Sequence, residues 1–388
     1  MSFLFAKRVN RLRPSAIREA FKMAAKPDII SLAGGLPAPE SFPLKLILEL
    51  QKVAQQKYGP SMFQYAATDG FPPLQKALVK YLSTFNIQTK VEEVGITTGA
   101  QQGLDLFGKI FIQNTVVAVE SPTYLGALQA FELYSPKYVS LKTDEDGVIP
   151  NSLEKVLQKG IKLVYLIPNF QNPSGRTLSA KRRGEVAKLL RKYDALLLED
   201  NPYGELRYTG KPLPSLKSLA PENVIYLGTF SKILSPGMRL GYFVAPAAIA
   251  EKLIQAKQGV DLHTSVFDQA IATEYLEGGH LKAHLPKILA IYKPRLQTML
   301  TALENNFDKN KFTWSHPSGG MFLWLEGPKN VNLLEAYPKA IAAKVAYIAG
   351  THFFAQRGKG LNTARLNFTN QSEANIAEGI KRLASIFK

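Results

Sequence analysis

The chain alternates short apolar, β-branched runs with longer segments in which apolar residues recur at helical spacing. Amphipathic patterns at 101–112, 124–133 and 179–193 predict helices between several of these runs. Because most runs are apolar almost throughout, we expect a sheet covered on both faces. The alternation predicts an α/β fold with a seven-stranded, mostly parallel sheet. The predicted strands are 94–98, 116–120, 137–141, 163–168, 195–200, 224–229 and 240–245.

The last two of these strands are joined by only about ten residues, so we expect that pair to be antiparallel. After about residue 290 the pattern changes: a helix is predicted at 291–307, strands around the Gly-Gly turn of "FTWSHPSGGMFLWLEG", and an amphipathic helix at 371–387. We interpret this part as a smaller α+β domain. The predicted organisation is an N-terminal segment (1–40) that packs with the small domain, a large domain (41–290) and a small C-terminal domain (291–388).

Polar side chains follow five of the predicted strands at the point where each strand ends. Ligands of open α/β sheets bind at the carboxyl ends of the strands. We therefore expect these groups to converge on one site. In chain order they are Gln101, Tyr124, Asn172, Asp200 and Tyr203, and finally Thr229, Ser231, Lys232 and Arg239, and Ala100 adds a backbone N–H at the first of these strand ends.

The loop after residue 229 carries two cations that indicate a specific chemistry. Confinement beside Arg239 is expected to lower the pKa of Lys232, and a neutral amine can form a Schiff base with an aldehyde. Arg239, Thr229 and Ser231 would bind an anion together with the helix N-terminus at 99–103, which favours phosphate. An aldehyde and a phosphate on one ligand indicate pyridoxal 5′-phosphate as the cofactor.

The remaining strand-end residues suit the ring of that cofactor. Asp200 would keep the pyridine nitrogen protonated, so that the ring withdraws electrons. Asn172 and Tyr203 would hydrogen-bond the ring hydroxyl, and Tyr124 would stack on the ring. Taken singly, each has an ordinary alternative as a loop cap, an Asn-Pro turn or a core side chain. Their joint occurrence at strand ends favours the cofactor site.

Composition narrows the possible classes of protein. The 388 residues include no cysteine, which excludes disulfides and thiolate metal sites, and the five histidines lack metal-ligand spacing, so no metal is predicted. A net charge of +17 favours an anionic partner. However, the densest basic cluster, at 179–194, forms one face of an amphipathic helix, and we predict no nucleic-acid partner. No apolar run reaches the roughly 18 residues that span a bilayer, and the basic N-terminus is unlike a secretory signal. We therefore predict a cytoplasmic protein without a membrane partner.

Nine segments of the sequence, given at the end of this paragraph, make the chain resemble the pyridoxal-phosphate-dependent class I/II aminotransferases of fold type I. Within that family it is similar to the 2-aminoadipate/kynurenine aminotransferase branch. The resemblance covers about residues 15 to 370. The matching segments are "SLAGGLPAPESFP", "QYAATDGFPPLQKAL", "ITTGAQQGLDLFGKIF", "ESPTYLGALQAF", "LIPNFQNPSGRTLS", "LLLEDNPYGELRY", "YLGTFSKILSPGMRLGY", "AKQGVDLHTS" and "ARLNFT".

The resemblance implies a role for each site residue. It implies that Lys232, Asp200 and Tyr203 are catalytic, with Lys232 attached to the cofactor. It implies that Tyr65 reaches the phosphate of a neighbouring subunit, and hence a homodimer with shared active sites. Arg365 would bind the substrate α-carboxylate as a bidentate fork. The further implied cofactor-binding residues are Ala100, Gln101, Tyr124, Asn172, Thr229, Ser231 and Arg239, and the further substrate-binding residues are Asn172, Gly35, Ser15 and Arg18.

The sequence also departs from the family at the phosphate. Position 100 is Ala and position 229 is Thr, where many relatives carry Ser; the first change removes a hydroxyl, and the second keeps it. Arg18, beside Glu19 and Lys22, has the alternative of a helix-surface arginine. Arg365 has the alternative of a structural arginine on the strand that "LNF" continues.

We expect an aminotransferase with a ping-pong mechanism. The expected donors are 2-aminoadipate, glutamate, aromatic amino acids or leucine, and the expected acceptor is 2-oxoglutarate. A lyase or decarboxylase on the same fold is an alternative, because fold does not fix the reaction. A second alternative is a regulator with an aminotransferase-like domain. The resemblance begins near residue 15, so we expect no winged-helix domain ahead of it.

Overall fold

The computed structural model describes residues 4–12, 26 and 28–387. The described residues form fifteen strands. These are β1 (Ile30–Ser31), β2 (Val94–Thr97), β3 (Val116–Glu120), β4 (Lys137–Leu141), β5 (Thr143–Asp144), β6 (Gly147–Val148), β7 (Leu163–Leu166), β8 (Leu196–Asp200), β9 (Val224–Thr229), β10 (Gly241–Val244), β11 (Thr313–Trp314), β12 (Phe322–Glu326), β13 (Val345–Ala346), β14 (Ile348–Ala349) and β15 (Thr363–Asn367).

The same residues form twelve α-helices. None of these described helices combines the length and apolarity needed to cross a membrane. They are α1 (Leu44–Tyr58), α2 (Pro72–Ser83), α3 (Ala100–Phe111), α4 (Leu125–Glu132), α5 (Pro150–Leu157), α6 (Ala180–Tyr193), α7 (Leu216–Leu219), α8 (Ala247–Asp261), α9 (Val266–Glu277), α10 (His280–Asn306), α11 (Tyr337–Ala342) and α12 (Glu373–Ser385).

A seven-stranded sheet forms the centre of the molecule, in the order β2-β10-β9-β8-β7-β3-β4. Six strands are parallel, while β10 runs antiparallel to both of its neighbours. The predicted α/β fold, its seven strands and the antiparallel last pair are therefore confirmed. Strand β7 ends at Leu166, before the predicted residue 168, because the N–H of Ile167 donates to the side chain of Glu120 and Pro168 has no N–H to donate.

Both faces of this sheet are covered, as the continuous apolar runs predicted. Along β3, Val117 and Val119 pack into one apolar core, while Ala118 between them packs into the core on the opposite face. Every residue of β9 is buried. Because both faces of the sheet are packed, we look for a ligand site at the strand ends.

A second, antiparallel sheet has the order β11-β12-β15-β14. The predicted strands around the Gly-Gly turn are β11 and β12, and the predicted last helix is α12. Residues 28–38 run beside this sheet: β1 pairs in parallel with β13, and Asn367 donates its N–H to the carbonyl oxygen of Leu32. Helix α10 runs through residue 290, so the domain boundary at that residue stays a prediction.

Candidate active site

A cavity of about 600 Å³ opens at the carboxyl ends of the large sheet, beside residues 35–37 and β15. The structure brings twelve of the predicted site residues together in its wall. They are Gly35, Ala100, Gln101, Tyr124, Asn172, Asp200, Tyr203, Thr229, Ser231, Lys232, Arg239 and Arg365.

Lys232 lies on the loop between β9 and β10, and its Nζ donates a hydrogen bond to the carbonyl oxygen of Gly35 at 3.2 Å. Burial is the largest cause that lowers the pKa of Lys232, followed by the charges of Arg365 and then Arg239, and together they bring it to about 8. Burial is therefore a larger cause of the shift than the neighbouring Arg239, on which the sequence-based expectation rested. A considerable fraction of this amine is neutral near pH 8, as a nucleophile or a base requires.

The N-terminus of α3 and the loop before β10 form an anion-binding corner. The first-turn N–H groups of a helix have no intrahelical partners, and here they begin at Ala100, behind Gly99 with φ 77°. A side chain at Gly99 would meet the guanidinium of Arg239, because its Cβ would lie 2.7 Å from Nη2. Glycine at this position thus lets the arginine lie against the helix start, where both favour phosphate.

Hydroxyl groups complete this corner. Thr229 donates from Oγ1 to the carbonyl oxygen of Leu240, and its hydroxyl lies 3.0 Å from that of Ser231. The side chain of Gln101 donates to the carbonyl oxygen of Gly126 at 2.9 Å. The backbone N–H of Gln101 is therefore the group available to an anion in this arrangement.

Asp200 ends β8 and is only 3% exposed. One carboxylate oxygen, Oδ2, accepts a hydrogen bond of 2.8 Å from the hydroxyl of Tyr165. The other oxygen, Oδ1, has no hydrogen-bond partner within the described part of the chain. Burial raises the pKa of Asp200 to about 7, and the Tyr165 hydroxyl opposes this rise. A buried acceptor without a partner fits the protonated ring nitrogen of pyridoxal phosphate.

Two tyrosines and an asparagine form the walls around that carboxylate. The amide nitrogen of Asn172 lies 3.4 Å from the hydroxyl of Tyr203, at the limit of a hydrogen bond. Tyr124 precedes α4, and its ring occupies the space above Gly126, where an added Cβ would lie 2.4 Å from Cζ. The three side chains thus present two polar groups and one aromatic face to a flat ligand.

Arg365 projects from β15 into the opposite wall and is 3% exposed. Its guanidinium lies between two rings, 4.1 Å from the centroid of Phe322 and 5.0 Å from that of Phe353. Nη1 donates to Asn172 Oδ1 at 2.9 Å, and Nη2 to the carbonyl oxygen of Ala33 at 2.7 Å. Nε has no partner among residues 4–12, 26 and 28–387.

This environment leaves Arg365 ready for an anion. Burial lowers its pKa to about 10, because loss of water penalises the charged form, and no carboxylate of the described residues pairs with it. The guanidinium carries five donors, of which Asn172 and Ala33 take two. A carboxylate would supply both the missing charge and the missing acceptor.

Three predicted residues do not line the cavity. Tyr65 lies on the surface, 79% exposed, with its ring centroid 5.8 Å from that of His263. Ser15 and Arg18 lie outside the described residues, so their proposed contacts with the substrate stay predictions.

The sequence did not predict the side chains that contact the predicted site residues and fix their positions. The apolar pattern indicates Tyr165 only as part of a strand, and Phe322 and Phe353 only as core residues. One signal was available for Tyr165: a buried phenol needs a hydrogen-bond partner. The stacking on Arg365 depends on contacts between β12, β15 and residues 350–353, which no local pattern predicts.

Comparisons with known proteins identify the family of this chain. Residues 28–383 match the family model "Aminotransferase class I and II". The aromatic-amino-acid aminotransferase 1 of Thermococcus litoralis is 46% identical, over 99% of this chain and 94% of that protein. The structure of Pyrococcus horikoshii kynurenine aminotransferase with PMP is 43% identical, with a TM-score of 0.94 and coverage of 98% of this chain and 96% of that chain.

A third relative extends the comparison to another substrate. LysN, the alpha-aminoadipate aminotransferase of Thermus thermophilus, was solved with N-(5′-phosphopyridoxyl)-L-leucine. It is 38% identical, with a TM-score of 0.91 and coverage of 98% of this chain and 96% of that chain. The chain therefore belongs to the class I and II aminotransferases, with fold type I and pyridoxal 5′-phosphate as its cofactor, and it is a transaminase.

Proposed function

We propose that this enzyme moves the amino group of an L-amino acid to 2-oxoglutarate by a ping-pong mechanism. The observation that carries the proposal is the pairing of Lys232 with Arg365 in one cavity. The first provides an amine that is partly neutral near pH 8, and the second a guanidinium with an unused donor. An α-amino acid carries the two groups that such a pair binds and reacts with, an amine and a carboxylate beside one carbon.

The proposed roles follow from the groups that line the cavity. When bound, the cofactor supplies an aldehyde that accepts the amino group and a ring that withdraws electrons from the substrate Cα. Lys232 would hold the cofactor at rest and, once released, its neutral amine would accept the proton from the substrate Cα. Asp200 binds the ring nitrogen through Oδ1. Arg365 fixes the carboxylate, so that the Cα–H bond faces Lys232.

The remaining side chains hold the cofactor in place. Asn172 and Tyr203 hydrogen-bond the ring hydroxyl, and Tyr124 covers the ring. Arg239 and the N-terminus of α3 bind the phosphate, with the hydroxyls of Thr229 and Ser231.

We propose a broad set of donors: 2-aminoadipate, glutamate, aromatic amino acids and leucine. The cavity wall includes the apolar residues Leu36, Leu104 and Ile167, which suit large apolar side chains. Relatives of this chain are named for aromatic amino acids, kynurenine and 2-aminoadipate, and one was solved with a leucine adduct. Acidic side chains need a cation, and we assign that role to Arg18 with help from Ser15.

The direct test measures transfer of ¹⁵N from a labelled amino acid to 2-oxoglutarate by mass spectrometry. Wild type should form ¹⁵N-glutamate, and Lys232→Ala should lose turnover because it lacks the amine that moves the proton. The control is Lys188→Ala, which removes an exposed lysine from α6 and should leave the rate unchanged. Full activity in Lys232→Ala would contradict the mechanism. Release of ammonia or carbon dioxide without labelled glutamate would contradict amino transfer.

Substrate recognition by Arg18 has its own test. In Arg18→Ala, kcat/KM for 2-aminoadipate should fall by about tenfold or more, the scale of a hydrogen bond to a charged group. The value for leucine should stay unchanged, because that side chain has no carboxylate. Equal effects on both substrates would remove the role of Arg18.

We also propose a homodimer in which Tyr65 reaches the phosphate of the partner. Phe63, two residues before Tyr65, is also exposed, and so is Leu262, which precedes the His263 that contacts the Tyr65 ring. The same surface borders the phosphate corner: Asp261, the last residue of α8, accepts hydrogen bonds from Thr98 and Gln102 at 2.7 and 2.8 Å. A second subunit that covers the patch would bring Tyr65 next to a neighbouring site.

Subunit mixing tests this arrangement. Lys232→Ala and Tyr65→Ala are each expected to be impaired, but a mixed dimer holds one site with both groups intact. Equal mixing should therefore restore activity at about a quarter of the sites. No recovery after verified subunit exchange, or a monomer in sedimentation, would contradict the shared site. The cytoplasmic location stays a prediction.

A further inference from the structure

The carboxyl group of Asp200 is held by a single side chain of the described protein. The Tyr165 hydroxyl donates to Oδ2 at 2.8 Å, while Oδ1 has no partner among the described residues. The two residues lie on neighbouring parallel strands, β7 and β8, at a register where Tyr165 pairs with Leu198. The hydrogen bond therefore spans adjacent strands near their carboxyl ends.

Tyr165 is itself rigidly held. It is 0% exposed, and its ring packs edge-to-face on that of Phe131, with 5.8 Å between centroids. Burial, followed by the charge of Asp200, raises the pKa of Tyr165 well above its usual value, so the phenol stays a neutral donor. A fixed donor on a fixed strand restricts the carboxyl group to one orientation.

Three other ionisable groups interact electrostatically with Asp200, of which two line the cavity and the third, Glu120, lies outside it. They are Glu120 on β3, Tyr124 before α4 and Tyr203 after β8. Burial raises the pKa of Glu120 to about 8 and that of Tyr124 to about 12, and it also raises that of Tyr203. All three are therefore largely neutral at pH 7. They form no hydrogen bond to Asp200 that would replace the one from Tyr165.

We propose that Tyr165 is a positioning residue for the cofactor ring: by binding Oδ2 of Asp200, it orients Oδ1 toward the ring nitrogen and keeps the shared proton on that nitrogen. A carboxylate that accepts a hydrogen bond on one oxygen is a weaker base at the other. Without the phenol, the proton would move from the ring nitrogen toward the carboxylate, and the ring would withdraw electrons less strongly. This inference rests on the assignment of Asp200 to the ring nitrogen proposed above.

The test is the ¹⁵N chemical shift of the ring nitrogen in enzyme loaded with ring-¹⁵N pyridoxal phosphate, at pH 7. In Tyr165→Phe, which keeps the ring and removes only the hydroxyl, the ratio of protonated to unprotonated nitrogen should fall by about ten- to a hundredfold. Tyr347→Phe is the matched control: this buried phenol donates to the carbonyl oxygen of Leu333 in the small domain. Its ring-nitrogen signal should match wild type.

A third variant separates failure of this inference from failure of the proposed function. Asp200→Asn should leave the ring nitrogen unprotonated. If Asp200→Asn moves the signal and Tyr165→Phe does not, Tyr165 is only a core residue and the inference is overturned. If Asp200→Asn also leaves the signal unchanged, the assignment of Asp200 itself is wrong.

A second substitution covers the case in which Tyr165→Phe does not fold. Incorporation of 4-aminophenylalanine at position 165 keeps the shape of the side chain and a weaker N–H donor. The protonated fraction should then lie between those expected for wild type and for a side chain with no donor. A ratio equal to that of wild type would overturn the role of Tyr165.

Discussion

Replacing Arg365 with Ala tests the substrate site most sharply. Two of the five guanidinium donors hold Asn172 and Ala33, and Nε is unpaired among the described residues. A substrate carboxylate bound as a fork forms two hydrogen bonds between charged groups, each worth about 1.5–3 kcal/mol. Their loss corresponds to about 3–6 kcal/mol, or about 10²- to 10⁴-fold in kcat/KM.

The assay compares L-phenylalanine with 2-phenylethylamine, which lacks the carboxylate. Wild type should prefer the amino acid by about the same 10²- to 10⁴-fold, and Arg365→Ala should use the two amines almost equally. The comparison isolates the contact between arginine and carboxylate, because each single change removes the same interaction. Arg207→Ala is the control, since this arginine stacks on Phe170 at 4.7 Å and does not line the cavity.

Arg365→Ala is expected to fold with nearly the wild-type melting temperature. The protein loses two hydrogen bonds but is also relieved of a buried charge without a counter-ion. The loss of activity should therefore not come from unfolding. A loss below tenfold for L-phenylalanine, or equal losses for both amines, would refute the role of Arg365.

Three further predictions concern pH, stability and cofactor binding. Burial and the charges of Arg365 and Arg239 lower the pKa of Lys232 to about 8. The rate at which the cofactor attaches to the apoenzyme, measured by stopped flow, should therefore rise up to about pH 8 and then level off. A rate that keeps rising until about pH 10 would contradict this. Burial raises the pKa of Glu120 to about 8, so its ionisation destabilises the fold as pH rises from about 4.5 to 8. Glu120→Gln should therefore raise the free energy of unfolding at pH 7 by about 3 kcal/mol, with little gain at pH 4.5; the same gain at both pH values would refute the reasoning. Gly99→Ala should weaken cofactor binding measured by fluorescence titration, because φ is 77° at this residue and the added Cβ would meet the guanidinium of Arg239. The control is Gly184→Ala in α6, where an added Cβ has no neighbour within 4 Å, and this variant should bind the cofactor as wild type does.

The large sheet could be predicted because its signal is local. Each strand is a short apolar run, and burial on both faces makes the run continuous, as in β9. The residues at the strand ends could then be grouped, because parallel strands bring their carboxyl ends to one edge. Asp200 and Lys232 could therefore be assigned to one site from the sequence alone.

Contacts between residues far apart in the chain could not be predicted from the sequence. The rings around Arg365 come from β12 and from residues 350–353, and the acceptor of Lys232 is a backbone oxygen at Gly35. Burial is the largest cause of the lowered pKa of Lys232, and a sequence pattern does not show how deeply a side chain is buried. Interactions over such separations in sequence require the packed structure.

The central claim is that the enzyme keeps the amino group of the first substrate at its active site until the second substrate arrives. The most direct measurement is the absorption spectrum of the cofactor-loaded protein, first with 2-aminoadipate alone and then with 2-oxoglutarate added. We predict that the visible cofactor band moves to the near ultraviolet with the amino acid and returns with the oxo acid, in one cuvette. A visible band that changes only when both substrates are present together would contradict the ping-pong mechanism.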